Sequence, residues 1–105
     1  MFTVVFLVKK KPSMTPEEFT RYWIDEHTPF TSKVPGVRSY RCYPMTGYPD
    51  AQPPFDAVAT LGFDDEAAWK RAAASPELAA AIGDAPNFQD TGATMAFFAE
   101  ERVIV

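Results

Sequence analysis

The order of patterned segments in this chain of 105 residues predicts an α+β fold, one antiparallel sheet carrying both of its helical regions on a single face. Three observations carry that prediction. β-branched and aromatic runs stand at both ends of the chain, a capped amphipathic helix follows the first run, and an alanine-rich helical region precedes the last.

Phe2–Val8 has apolar residues at both parities, Phe2, Val4, Phe6 and Val8 against Val5 and Leu7, which predicts a strand that meets apolar surroundings on both faces. Lys9-Lys10-Lys11-Pro12 ends it as a solvated strand exit. Thr15-Pro16-Glu17-Glu18 is a capping box with proline at the first helical position, so a helix begins at Pro16. Phe19, Trp23, His27 and Phe30 fall on its apolar face, and Pro35-Gly36 ends the segment in a turn. Residues 37–45 alternate as a more exposed strand, residues 46–54 hold the glycine and prolines of a loop, and residues 55–63 form a third strand. Asp64 or Asp65 caps a second helix running through Ala74, Ser75-Pro76-Glu77 starts another, and Gly83-Asp84-Ala85-Pro86 stops it. Residues 91–105 supply the last strand, with Glu100-Glu101 as its interruption.

The order β-α-β-β-α-β is the split βαβ arrangement of a ferredoxin-like sheet, here expected as a single domain over residues 1–105. One sheet face then has no helix over it, yet the outer runs carry apolar residues toward both faces. A second copy, sheet against sheet, resolves this as a homodimeric α+β barrel.

Composition narrows the partners. A formal charge of −4 and a pI near 4.8 exclude a cationic surface for nucleic acid or an anionic membrane. No apolar run approaches the ~20 residues that span a bilayer, a lone Cys42 makes no internal disulfide, and no signal-like segment opens the chain, so a cytoplasmic protein is expected. With one histidine and one cysteine a tetrahedral zinc site is not expected, and no G-x-G-x-x-G or P-loop spacing points to a nucleotide cofactor. Small molecules or other protein chains remain as partners, and a small apolar or aromatic metabolite is the expected ligand.

His27, the one histidine, is the side chain able to shuttle protons near neutral pH, and its aromatic surroundings make it the candidate general acid/base. The competing reading is a buried histidine satisfied by a backbone carbonyl. Phe19, Trp23, Phe30, Tyr40 and Phe88 are candidate cavity walls, with a Tyr hydroxyl or Trp N–H to orient the ligand, or else core. Asp56 is a candidate partner for the imidazole, with turn capping as its alternative; Asp84 and Asp90 read as loop structure. Cys42, with no cation predicted beside it, reads as an inert thiol.

Phe19-x-x-Tyr22-Trp23-x-x-x-His27-x-Pro29, Lys33-x-Pro35-Gly36-x-x-x-Tyr40 and Phe55-Asp56-Ala57-Val58-Ala59, followed by Ser75-Pro76-Glu77 and Asp84-x-Pro86-Asn87-Phe88-x-Asp90, resemble the EthD-like proteins of the dimeric α+β barrel superfamily over nearly the whole chain. Ala57 stands where that pattern leads one to expect glycine. The resemblance implies a homodimer without a cofactor and an activity like those of lactone isomerases, polyketide cyclases or dehydratases, with His27 as acid/base. It equally allows a non-catalytic metabolite-binding or accessory protein of an oxidative degradation pathway, after the ether-degradation operon that gave the family its name. A third implied alternative is haem, ligated through His27 as in other branches of the superfamily.

Overall fold

The computed structural model describes residues 1–47 and 53–105; within the anticipated loop at 46–54, residues 48–52 lie outside the described part. Strands β1 (Phe2–Val8), β2 (Ser39–Pro44), β3 (Ala57–Phe63) and β4 (Met95–Glu100) form one antiparallel sheet in the order β2-β3-β1-β4. Helices α1 (Pro16–Tyr22) and α2 (Thr28–Ser32) lie between β1 and β2, and α3 (Glu66–Ala73) and α4 (Pro76–Asp84) lie between β3 and β4. This is the ferredoxin-like arrangement. β1 matches its run, while β2 is shorter than its run at both ends, β3 starts two residues late, and residues 91–94 and 101–105 fall outside β4.

Local chemistry sets the element ends. Thr15 accepts from the Glu18 N–H while the Glu18 side chain accepts from the Thr15 N–H, so both halves of the capping box form at the start of α1. Gly36 turns the chain into β2 at a φ of 81°, a left-handed conformation that glycine adopts without a Cβ clash. Asp65, rather than Asp64, caps α3, and Ser75 caps α4.

Register separates the two faces of the sheet. Val4, Phe6 and Val8 lie opposite Leu61, Ala59 and Ala57, and these side chains meet Phe19, Trp23, Phe63, Ala72, Leu78 and Phe88 beneath the helices. The other face carries the row Tyr43–Val58–Leu7–Met95 and, beside it, Val5 next to Phe97. Tyr43, Met95 and Phe97 are exposed there, so the apolar character of β1 toward both faces leaves a bare patch on the helix-free side.

The first helical region departs from a regular α-helix. Between α1 and α2 the segment Trp23–His27 is a π-helical turn, closed by a bond from the Thr28 N–H to the Trp23 carbonyl. At ~100° per residue, successive steps of four drift ~40° around an α-helix; the wider turn removes that drift. Phe19, Trp23, His27 and Thr31, all four apart, are therefore all buried. Phe30, placed on the apolar face by a regular period, turns outward and is 38% exposed.

Candidate functional site: a histidine–aspartate pair at an apolar cavity

His27 closes the π-helical turn with its ring inside the protein, 7% exposed. Its Nδ1 lies 2.8 Å from Oδ2 of Asp84, the last residue of α4 and itself 8% exposed. An ionised carboxylate only accepts hydrogen bonds, so Nδ1 carries a proton, and in the neutral ring Nε2 is the nitrogen with the lone pair. Nε2 is 3.4 Å from the Thr31 hydroxyl. Phe88, fully buried, packs 4.6 Å from the imidazole centroid and 5.4 Å from that of Tyr22, holding both rings from behind.

A carboxylate at a helix C-terminus opposes the helix dipole, so Asp84 depends on side-chain partners. Its Oδ1 accepts from the Tyr22 hydroxyl at 2.7 Å and from the Asn87 amide at 3.0 Å. Burial alone pushes the Asp84 carboxyl upward, but the bonds from Tyr22, Asn87 and His27 outweigh it and hold its pKa below the usual carboxylate value. The same bond to Asp84, reinforced by burial, raises the Tyr22 hydroxyl.

A pH dependence of stability follows. Because the folded-state pKa is depressed, the Asp84 contribution is fully present above its unfolded value and is lost as pH falls through the folded one. Asp84→Asn is expected to cost about 1–3 kcal/mol at neutral pH by leaving a buried partner unmatched. The gap to wild type narrows as pH falls from ~5 toward ~2, measured by urea unfolding at each pH. A gap that stays constant or widens would show that the ionised carboxylate contributes nothing.

His27, with Trp23, Thr31 and Tyr40, lines a cavity of about 190 Å³ between helices and sheet, and Asp84 stands behind the ring. Its remaining walls are largely apolar, among them Phe6, Leu61, Leu78 and Ile82. Of the residues anticipated from sequence, His27, Trp23 and Tyr40 thus converge here. Phe19 and Phe88 are core beneath the site, and Phe30 sits in a separate shallow cleft with Lys33 and Glu77. Asp56 does not serve the imidazole: its Oδ2 accepts from the Lys10 N–H at 2.8 Å and lies 3.7 Å from Lys9 Nζ, capping the strand exit. Asp84, expected as loop structure, holds the imidazole instead. The carboxylate ending a helix against the dipole, three residues before Asn87, was the available signal.

The cavity is too small for haem. It lies below the ~300–1,000 Å³ of pockets that take drug-sized ligands, and a porphyrin is larger still. Nδ1 is engaged by Asp84 and Nε2 faces Thr31, so the site does not fit that group. Among the described residues no cluster of His, Cys, Asp and Glu has the makings of a metal site. Among the described residues no helix is long and apolar enough to cross a membrane.

Fold and site together define a ferredoxin-like α+β domain with a histidine–carboxylate pair at an apolar cavity. A family model of the EthD domain matches residues 11–92, and the chain belongs to that family. It is similar to the crystal structure of an ethyl tert-butyl ether degradation (EthD) family protein from Bacillus halodurans, with a TM-score of 0.81 and 22% identity over 97% of this chain and 100% of the other. A dimeric ferredoxin-like protein from Thermobifida fusca gives 0.73 at 14% identity, covering 95% and 90% of the two chains. A DABB family protein with a ferredoxin-like fold from Mesorhizobium loti gives 0.69 at 17%, covering 97% of each. A search of curated proteins finds no match.

Proposed function

We propose that this EthD-family protein is a homodimeric small-molecule enzyme of the cytoplasm, a cofactor-independent isomerase, cyclase or dehydratase in which His27 moves the proton. The observation that carries this reading is the buried Nδ1–Asp84 bond, which fixes the tautomer and aims Nε2 at the cavity wall. Nε2 then accepts a proton from substrate carbon or hydroxyl and returns it at another position, while Asp84 stabilises the transient imidazolium. Asp84 acts through His27 and is a positioning residue. Passive metabolite binding needs neither a fixed tautomer nor a buried carboxylate behind the ring, so the accessory-protein alternative is the weaker reading.

Pairing through the helix-free face would cover the row Tyr43–Val58–Leu7–Met95 and Phe97. The dimeric descriptions of the solved Thermobifida fusca, Jannaschia and Bacteroides fragilis structures support it. Light scattering that reports a single 11.7 kDa chain at micromolar concentration would refute the dimer. For the chemistry, the probe is 2-tetralone, a compact ketone with an acidic C–H: protein in D₂O should speed deuteration of its C1 methylene, followed by proton NMR. No acceleration over buffer, or full acceleration without His27, would refute the acid/base role.

A further inference from the structure

Resting on the acid/base role of His27, we propose that Tyr40 is a catalytic hydrogen-bond donor that binds the substrate oxygen, and that the substrate is an uncharged, enolisable carbonyl compound. Tyr40 and His27 line the same cavity, from β2 and from the π-helical turn. The Tyr40 hydroxyl lies among Cys42, Thr31 and Trp23, and Thr31 is the residue 3.4 Å from His27 Nε2. The Tyr40 hydroxyl and the base thus reach the same cavity, with Thr31 beside both.

One other hydroxyl on the wall is committed. The Thr94 hydroxyl donates to the Asp90 carbonyl and accepts from the Lys9 N–H, both at 3.1 Å. Burial, the main cause, together with the hydrogen bond to Cys42, pushes the Tyr40 hydroxyl well above its ordinary pKa, so it remains protonated and can exchange the weak sulfur acceptor for a substrate oxygen. Charge then selects the ligand. Among the described residues that line the cavity there is no Lys, Arg, Asp or Glu, and an imidazolium at His27 is already matched by Asp84. A carboxylate or phosphate would lose its water without meeting a net positive charge, and an ammonium would meet no carboxylate in the wall.

The step balances within these groups. Nε2 takes the proton beside the carbonyl, the C–H pair becomes the C=C bond, and the carbonyl π pair moves to oxygen, which accepts the Tyr40 hydrogen bond. Where the substrate carries a second C=C beyond that carbon, return of the proton at the far end of the resulting dienolate shifts the double bond into conjugation, re-forms the carbonyl and completes an isomerisation. Expulsion of a β-hydroxyl that takes the proton from the imidazolium releases water and completes a dehydration.

The test uses three ring probes in calorimetric titrations of wild type and Tyr40→Phe: 2-naphthol, which has a hydroxyl where an enol of 2-tetralone carries its oxygen, naphthalene, which lacks it, and the anion 2-naphthoate. Tyr40→Phe is expected to raise the Kd of 2-naphthol about tenfold or more while naphthalene changes by less than about twofold, since only the oxygen loses a partner. In wild type, 2-naphthoate should bind at least about tenfold more weakly than 2-naphthol. Equal losses for 2-naphthol and naphthalene would make Tyr40 a wall and no more. Unchanged 2-naphthol binding in the variant, no 2-naphthol binding by wild type, or tight 2-naphthoate binding would each overturn the proposal. If His27-dependent deuteration persists through such a failure, the acid/base reading stands alone; if deuteration is absent but the Tyr40 selectivity holds, the cavity is a carbonyl-binding site without proton transfer.

Discussion

His27→Gln is expected to slow protein-catalysed deuteration of 2-tetralone by roughly 10²–10⁴-fold, the usual contribution of a positioned general base. Glutamine keeps a polar side chain near the Asp84 carboxylate and can donate its amide to Oδ2, so the fold is expected to survive. It cannot accept a proton near neutral pH. Asp84 also keeps its bonds from Tyr22 and Asn87, so the carboxylate is not stranded by the change. Loss of rate with an unchanged circular-dichroism spectrum and urea midpoint would locate the effect in chemistry. A variant retaining more than about a tenth of the wild-type rate would leave His27 as packing only.

Trp23→Ala should be the most destabilising single truncation of this site. Trp23 is 1% exposed, packs 5.9 Å from the Phe19 ring centroid, and both opens the π-helical turn and walls the cavity. Removing a fully buried indole from a core costs about 3–5 kcal/mol, a large part of the ~5–15 kcal/mol that holds a domain folded. Urea denaturation should show the midpoint falling by that equivalent, with Trp23→Phe recovering a substantial part of it. A loss under about 1 kcal/mol would mean that neighbouring side chains collapse into the space.

The fold was legible because its signals are local or strictly periodic. Thr15-Pro16-Glu17-Glu18 announces its helix, Ser75-Pro76-Glu77 announces another, and apolar residues at both parities of β1 anticipate a sheet with one helix-covered and one bare apolar face. The site was legible only in part. His27, Trp23 and Tyr40 stood out by residue type, but the phase of Phe30 and Thr31 depends on a widened turn that a 3.6-residue period cannot register. The partner of His27 was harder still, because Asp84 lies 57 residues away and meets it only when α4 packs beside α2. Asp56 was the more conspicuous carboxylate in sequence, being next to an apolar strand, yet the backbone N–H of Lys10 claims it.

The wide turn from Trp23 to His27 has a consequence for chain length. A regular helix would present the same inward faces with one residue fewer, in steps of four, three and four instead of three equal steps. The protein thus carries a surplus residue among the exposed Ile24, Asp25 and Glu26. Deleting one would let ordinary winding return, with the imidazole still on the inward side but turned off the line to the carboxylate that holds it. In this stretch, aim is encoded by residue count, so insertions and deletions matter more than the identity of what faces the water.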